Sequence, residues 1–143
     1  MNISEELIKA IVEQVVREMQ KPACESERQV DPSGIIGIKT SSVKLEPFAG
    51  RDDVLLKDVT SLAEAPRMGC GIMELKNGAD FEWTLTYDEY DIILEGYLEI
   101  EIDGRTISGG PGDIIYIPKG SHIHFKTPDY AKYVYTVYPA DWQ

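Results

Sequence analysis

The stretch Trp83–Gly96, WTLTYDEYDIILEG, decides the fold. It has the pattern of a strand pair and carries one carboxylate, Glu89, ahead of a closing glycine. Directly after it, residues 98–103 alternate apolar and acidic side chains, the period of a strand with one buried face. The dipeptide Asp103-Gly104 then favours a tight hairpin turn. This part of the chain therefore predicts consecutive antiparallel strands.

Short strand-like segments separated by turn residues continue through residues 34–143. Near the end of the chain, Tyr133, Tyr135 and Val137 alternate with their neighbours in the same way. We find no second helical pattern and no internal repeat in the sequence. Several short strands at such spacing are typical of an antiparallel sandwich or barrel. The sequence therefore predicts an all-β domain over residues 34–143.

An amphipathic helix is predicted for residues 1–20. Asn2 and Glu5 have the spacing of a capping box, and Pro22 ends the helix because it donates no backbone hydrogen bond. Residues 21–33 are polar, contain two prolines and show no periodicity, which predicts a linker. The apolar residues of the helix recur at helical spacing and form one broad face: Ile3, Leu7, Ile8, Ile11, Val12, Val15, Val16 and Met19.

Composition narrows the class of protein. A chain of 143 residues is long enough for one domain with one core. Its formal net charge of -11 disfavours nucleic acids and anionic membranes as partners, because both select basic surfaces. The two cysteines are too few for a disulfide framework, and the N-terminus lacks the apolar core of a secretory signal. We therefore expect a cytoplasmic protein without nucleic-acid or membrane partners.

Two motifs resemble those of the cupin family, whose fold is a double-stranded β-helix, or jelly-roll, barrel. In the first cupin motif a glutamate precedes a glycine with six residues between them, as Glu89 precedes Gly96, and Gly78 matches the opening glycine. The second motif is matched by GDIIYIPKG, residues 112–120. Gly96 falls where a turn requires positive φ. The resemblance implies a cupin barrel that follows one N-terminal amphipathic helix.

The usual metal-ligand positions of the cupin motifs hold no histidine in this sequence. In the first motif they fall within residues 82–85, and in the second on Ile123. His122 and His124 flank Ile123, but successive strand residues point to opposite faces. A transition metal needs at least three convergent nitrogen or oxygen donors. We therefore expect no tightly bound transition metal.

The block WTLTYDEYDIILEG, together with GDIIYIPKGSHIHF and the ending YPADWQ, is similar to the EutQ family of ethanolamine-utilization proteins. The similarity covers residues 34–143, and longer members have a larger N-terminal region. It implies ethanolamine catabolism in a bacterial microcompartment, with acetate kinase-like phosphoryl transfer between acetyl phosphate and ADP. Mg²⁺ and ATP/ADP are the implied cofactors, and a homodimer is expected, as for many cupins. The alternative is a non-catalytic cupin that binds a small metabolite or helps microcompartment assembly.

Glu89 is the first candidate for chemistry. A motif position inside the barrel would suit a general acid/base with a raised pKa or a Mg²⁺ ligand. The alternative is a structural carboxylate that is hydrogen-bonded to Tyr87 or Tyr116. For Trp83 and Tyr87, the alternative to a role in chemistry is that their aromatic rings belong to the core or form the wall of the pocket. The predicted catalytic residues are Glu89, Tyr87 and Glu82, and the predicted pocket residues are Trp83, Asp88, Tyr116 and His124.

The apolar face of residues 1–20 requires a partner, because burying one aliphatic side chain stabilises by roughly 1.5–3 kcal/mol. A short amphipathic helix on a polar linker resembles the encapsulation peptides that dock cargo into microcompartment shells. This likeness predicts binding to shell or cargo proteins. The alternative is that the same face packs on the barrel or on a second copy of the chain.

Overall fold

A computed structural model describes residues 4–19 and 26–143 of the chain. Within those ranges it contains one α-helix, a short 3₁₀ turn at Thr40–Ser42, and twelve strands. The helix α1 spans Glu5–Met19. The strands are β1 Arg28–Val30, β2 Ile36–Ile38, β3 Glu46–Phe48, β4 Arg51–Asp58, β5 Gly69–Leu75, β6 Asp80–Thr84, β7 Asp88–Gly96, β8 Leu98–Ile102, β9 Arg105–Gly109, β10 Ile114–Ile117, β11 His122–Lys126 and β12 Ala131–Tyr138.

In the described ranges, two large antiparallel sheets build the barrel, and β1 and β2 form a separate two-stranded sheet. The larger has the strand order β10-β7-β12-β5-β4-β3, and the smaller has the order β6-β11-β8-β9. Neighbours in these orders are often far apart in sequence, as β12 is from β5, so the chain crosses between the sheets repeatedly. The all-β prediction for residues 34–143 is confirmed in this arrangement.

The core lies between the inner faces of the two sheets. On β12, Tyr133, Tyr135 and Val137 point inward and are at most 4% exposed, as their alternation predicted. Leu85 and Ile123 are fully enclosed between β6, β11 and their neighbours. Burial of such side chains is the main stabilising contribution to a fold of this size.

Turn residues behave as the sequence predicted at two positions. Asp103 and Gly104 both have positive φ, at 50° and 75°, which is the conformation of the two-residue hairpin between β8 and β9. Gly96 has φ 74°, and a Cβ there would overlap the carbonyl oxygen of Tyr130. Only glycine therefore fits at the end of β7 without a backbone shift.

The predicted linker, residues 21–33, differs from the structure in its second half. Arg28–Val30 form β1, which pairs with β2. The reason is the Arg28 side chain, which is buried, forms an ion pair with Glu64 and donates to the carbonyl oxygen of Val59. A buried, paired arginine anchors the segment to the barrel, and composition alone did not predict that. Residues 21–25 lie outside the described residues.

The helix is confirmed for the part of residues 1–20 that the structure describes. Its first turn is capped by Ser4, whose hydroxyl oxygen accepts the backbone N–H of Leu7, whereas the predicted capping residue Asn2 lies outside the described ranges. The side chains of Leu7, Ile8, Ile11 and Val12 are each about half exposed. Among the described residues no helix is long and apolar enough to span a membrane.

Candidate functional site

A pocket lies in the interior of the barrel. Its volume is about 20 Å³, which is close to the space that one water molecule requires. Seven of its ten lining residues are aromatic, and only one is charged. The lining residues are Phe48, Leu56, Met73, Phe81, Trp83, Tyr87, Glu89, Phe125, Tyr135 and Trp142.

Trp142 holds the aromatic wall together. Its ring centroid lies 5.7 Å from that of Phe48, 6.2 Å from Trp83, 6.0 Å from Tyr135 and 6.5 Å from Tyr87. Most of these pairs are edge-to-face, the geometry that aromatic quadrupoles favour. Residues from opposite ends of the domain therefore form one continuous aromatic surface around the pocket.

The polar atoms of this wall are mostly satisfied. The indole N–H of Trp83 donates to the Tyr87 hydroxyl at 2.7 Å. The Tyr135 hydroxyl and the Trp142 indole N–H both donate to Asp58 Oδ1, at 2.6 and 3.1 Å. Because these bonds orient the rings, the walls of the pocket are fixed by polar contacts as well as by packing.

Two acidic side chains, Glu89 and Asp91, lie side by side on the inner face of β7. Glu89 is 4% exposed, and Asp91 is fully buried. As carboxylates they leave Glu89 Oε2 and both oxygens of Asp91 without a hydrogen-bond partner among residues 4–19 and 26–143. Two carboxylates cannot bond to each other, whereas a protonated Asp91 donates to Glu89. In this acid pair, Asp91 is therefore the hydrogen-bond donor and is fully buried, and Glu89 is the acceptor and lines the pocket.

Burial determines the protonation of the pair. Desolvation raises the pKa of Glu89 to about 7, and the hydrogen bond from Asp91 opposes that rise. The pKa of Asp91 is raised well above its ordinary value, first by desolvation and then by the charge of Glu89 and the hydrogen bond to it. The pair thus keeps a proton at neutral pH, and Asp91 holds it.

The other titratable groups that face the acid pair are phenols. The pKa values of Tyr87, Tyr133 and Tyr135 are all raised, in each case first by burial. These three side chains are therefore neutral near pH 7. Among the residues that line the pocket, Glu89 is consequently the one group that can change its charge in that range.

Three predicted site residues come together in the pocket: Glu89, Tyr87 and Trp83. Among the described residues Glu89 forms no hydrogen bond with Tyr87 or Tyr116, which its structural alternative supposed; the Tyr87 hydroxyl accepts from Trp83, and the Tyr116 hydroxyl donates to Asp88. Tyr116 lies elsewhere on the surface. The partner of Glu89 is instead Asp91.

Glu82 and His124 do not lie in the pocket. Both project from the outer face of the smaller sheet, where Glu82 contacts His122 and His124 contacts Asp80. The hydrogen bond to Asp80 raises the pKa of His124. The physical reason is strand alternation, because Trp83 and Ile123 occupy the inward positions and their neighbours must point outward.

Asp88 and Tyr116 also lie outside the pocket, on the larger sheet. The Tyr116 hydroxyl donates to Asp88 Oδ1 at 3.2 Å, and the backbone N–H of Lys119 donates to the same oxygen at 2.8 Å. Asp88 thus fixes the turn after β10. The predicted seven-residue site is therefore divided between one interior group and two separate outer surfaces.

Asp91, Phe48 and Trp142 were missed by the sequence reasoning. The period of β7 was a usable signal for Asp91, because residues 89 and 91 of one strand share a face. Phe48 and Trp142 lie far from Trp83 in sequence, and only the pairing of the sheets brings the three together. Local patterns carry no information about that convergence.

The cupin ligand positions are filled by apolar or aromatic side chains. Trp83, Leu85 and Ile123 occupy inward positions where histidines stand in metal-binding cupins. Within the described ranges, no group of three or more His, Cys, Asp or Glu side chains is placed to hold a metal ion.

Comparison with known proteins identifies relatives across nearly the whole chain. The family profile described as ethanolamine utilisation protein EutQ matches residues 3–143. A Clostridioides difficile protein named acetate kinase EutQ is 45% identical over 99% of this chain and 95% of its own length. A Salmonella typhimurium protein of the same name is 36% identical over 98% of this chain, but over only 64% of its own length. The match thus leaves part of the longer relative uncovered.

Solved structures agree with the fold. The Clostridium difficile EutQ protein superimposes with a TM-score of 0.77 at 47% identity, covering 82% of this chain and 90% of that one. An RmlC-like cupin from Shewanella frigidimarina, only 13% identical, has a TM-score of 0.61 and covers 82% of this chain and 96% of its own. The predicted cupin double-stranded β-helix barrel with one N-terminal helix is confirmed by these likenesses.

Proposed function

The chain belongs to the EutQ family of ethanolamine utilisation proteins, and from this premise we propose that it acts in ethanolamine utilisation as an acetate kinase-like enzyme. The reaction is phosphoryl transfer between acetyl phosphate and ADP. The observation that carries the proposal is the 45% identity, over 99% of this chain, to a relative named acetate kinase EutQ. That relative has almost the same length, so the likeness extends over both whole chains.

The interior pocket does not fit a complex of Mg²⁺ with a nucleotide. Mg²⁺ keeps several water ligands in protein sites, and a volume of about 20 Å³ holds one. Phosphoryl transfer also requires positive charge around the phosphates, whereas none of the residues that line the pocket is basic. No step of the transfer is therefore assigned to the pocket residues, and the proposal rests on the relatives.

The test is a phosphoryl-transfer assay with the full chain. Purified protein is incubated with acetyl phosphate, ADP and Mg²⁺, and ATP is measured by coupled luminescence. ATP formation in proportion to folded protein would support the proposal, and no formation above the protein-free blank would refute it. The Glu89→Gln variant locates the reaction, because loss of activity in that variant would connect the transfer to the pocket.

A second candidate function is binding of a small metabolite of ethanolamine utilisation inside the barrel. The observation that favours it is Glu89, a carboxylate that lines an aromatic pocket and whose buried Oε2 has no hydrogen-bond partner in the described part of the chain. A buried carboxylate oxygen without a partner is costly unless a ligand or a proton satisfies it. The pocket therefore has the composition of a small-molecule site, mostly apolar with one polar group that fixes orientation.

The helix α1 supports a proposal about partners. Four of its apolar side chains are about half exposed, namely Leu7, Ile8, Ile11 and Val12. We propose that this face docks on shell or cargo proteins of a microcompartment in the bacterial cytoplasm, with self-association as the rival. Deleting residues 1–20 should abolish co-purification of a fused reporter with shells. Retained co-purification of the truncated chain would refute shell docking.

An apolar surface on the larger sheet supports the proposal of a homodimer. Side chains of β7 and the edge strand β10 form it, namely Tyr90, Ile92, Leu94, Ile114 and Tyr116, which are 36–64% exposed. A contiguous exposed apolar surface of this kind is typical of an interface. Light scattering should give a dimeric mass for the parent and a monomeric mass for Ile114→Lys, and a dimeric variant would exclude this face.

A further inference from the structure

We infer that the interior pocket is a site for a small organic ammonium ion, held by the carboxylate of Glu89 within a cage of aromatic rings. The inference rests on the second candidate function, binding of a small metabolite in the pocket, and names the chemical class of that metabolite. It does not depend on phosphoryl transfer. Three properties of the pocket carry it: its charge, its walls and its size.

The charge of the pocket favours a cation. Glu89 is the one charged side chain among the ten lining residues, and it is 4% exposed. Its Oε2 has no hydrogen-bond partner among the described residues. Asp91 lies beside it on the same face of β7 and donates to it when protonated, so the pair carries one negative charge, and the Glu89 carboxylate keeps acceptor sites beyond the one that Asp91 uses. An ammonium N–H supplies both the missing donor and the missing positive charge.

The walls of the pocket favour a cation for a separate reason. Aromatic faces carry negative quadrupole potential and attract ammonium groups within about 6 Å of the ring centre, tryptophan most strongly. Trp83 and Trp142 are both present, with Phe48 5.7 Å from each of them and Phe81 stacked on Trp83 at 5.6 Å. The N–H edges of both indoles are engaged with Tyr87 and Asp58. An anion such as acetate would therefore find no free indole N–H donor on either tryptophan, and it would meet the negative charge of Glu89.

The size of the pocket limits the ligand to a short alkyl chain. A volume of about 20 Å³ admits an ammonium head group, and a longer ligand needs more room. Trp142 lies beyond the last strand, and its indole also lines a surface groove of about 360 Å³ next to the pocket. Trp142 is therefore a wall residue of both the pocket and the groove. The pocket thus takes the ammonium head group itself, and methylammonium and ethanolammonium are short organic ions that carry this group.

The experiment uses the tryptophans as reporters. The chain has two tryptophans, and both line the pocket, so intrinsic fluorescence monitors its occupancy directly. The full chain is titrated at pH 8 with methylammonium and ethanolammonium chlorides, and separately with sodium acetate, magnesium chloride and sodium chloride at matched ionic strength. We expect a saturable change with the two ammonium salts alone.

Variants connect the signal to the pocket. Glu89→Gln should weaken ammonium binding by about tenfold or more, the loss typical of one charge-assisted hydrogen bond. The matched control is Glu95→Gln, which removes an exposed carboxylate from the same strand and should bind as the parent does. Cooperative urea unfolding of each variant verifies the fold. Equal ammonium affinity in the parent and in folded Glu89→Gln would overturn the assignment of Glu89.

The outcomes separate the inference from the function on which it rests. Saturable binding of acetate without ammonium would overturn the ammonium class and leave small-metabolite binding intact. A response to Mg²⁺ at lower concentration than to either ammonium salt would overturn it in favour of a divalent cation. No saturable response to any probe would refute both the inference and the second candidate function.

Discussion

Replacement of Glu89 by glutamine should change how the stability of the protein depends on pH. In the folded chain burial raises the pKa of Glu89 to about 7, from an ordinary value of 4.5. The folded state therefore retains a proton that the unfolded chain releases above pH 4.5. Stability that depends on a retained proton is fully present below the unfolded pKa and is lost as pH rises through the folded pKa.

The magnitude follows from the shift. A rise of about 2.5 pH units, at about 1.36 kcal/mol per unit, corresponds to about 3 kcal/mol of unfolding free energy lost by the parent between pH 4.5 and 7. About 2 kcal/mol of this loss in unfolding free energy falls between pH 5.5 and 7. That window lies well above the isoelectric point of about 4.5, at which the net charge of the protein is zero. Glu89→Gln lacks this loss, because an amide does not titrate. Its stability relative to the parent should increase by about that amount across the window.

The assay is urea unfolding followed by tryptophan fluorescence, at half-unit pH steps from 5.5 to 7.5. Glu95→Gln serves as the control, since Glu95 is exposed on the same strand. Its curve should run parallel to that of the parent. Parallel curves for the parent and Glu89→Gln would refute the reasoning, because they would mean that Glu89 titrates at the same pH in both states.

Further substitutions test the packing of the barrel. Trp142→Ala should lower the unfolding free energy by about 3–5 kcal/mol, which is the range for aromatic residues truncated in a core. Urea unfolding measures this loss. A loss below about 1 kcal/mol would mean that the Trp142 ring is not part of the core. Gly96→Ala should lower the melting temperature far more than Gly104→Ala, although both glycines have positive φ. A Cβ at Gly96 overlaps the Tyr130 carbonyl, whereas the space at Gly104 is open. Equal shifts in calorimetry would contradict this contrast.

The fold could be predicted largely from local patterns. Residues 98–104 specify a strand and its hairpin by alternation and by a dipeptide that tolerates positive φ. Gly96 marks the end of β7 for the same reason. The segment around Arg28 could not be predicted, because its order depends on a buried ion pair with Glu64, and nothing in the composition near Arg28 indicates that partner.

The site could be predicted only in part. Glu89 was placed inside correctly by its motif position, and alternation along β7 would have added Asp91. The same alternation places Glu82 and His124 outside, next to the inward Trp83 and Ile123. Strand β7 inverts the usual pattern, with acids inward and Tyr90 outward, so hydrophobicity was a misleading guide there.

A carbon-13 NMR titration of the side-chain carboxyl groups of Glu89 and Asp91, with and without methylammonium, tests the buried acid pair and the cation site together. Glu89 should titrate near pH 7 in the free protein, since burial disfavours its charge. Added methylammonium should move that titration to lower pH, because a bound cation favours the carboxylate. Titration of Glu89 near its ordinary value of 4.5, unchanged by methylammonium, would contradict both the buried acid pair and the cation site.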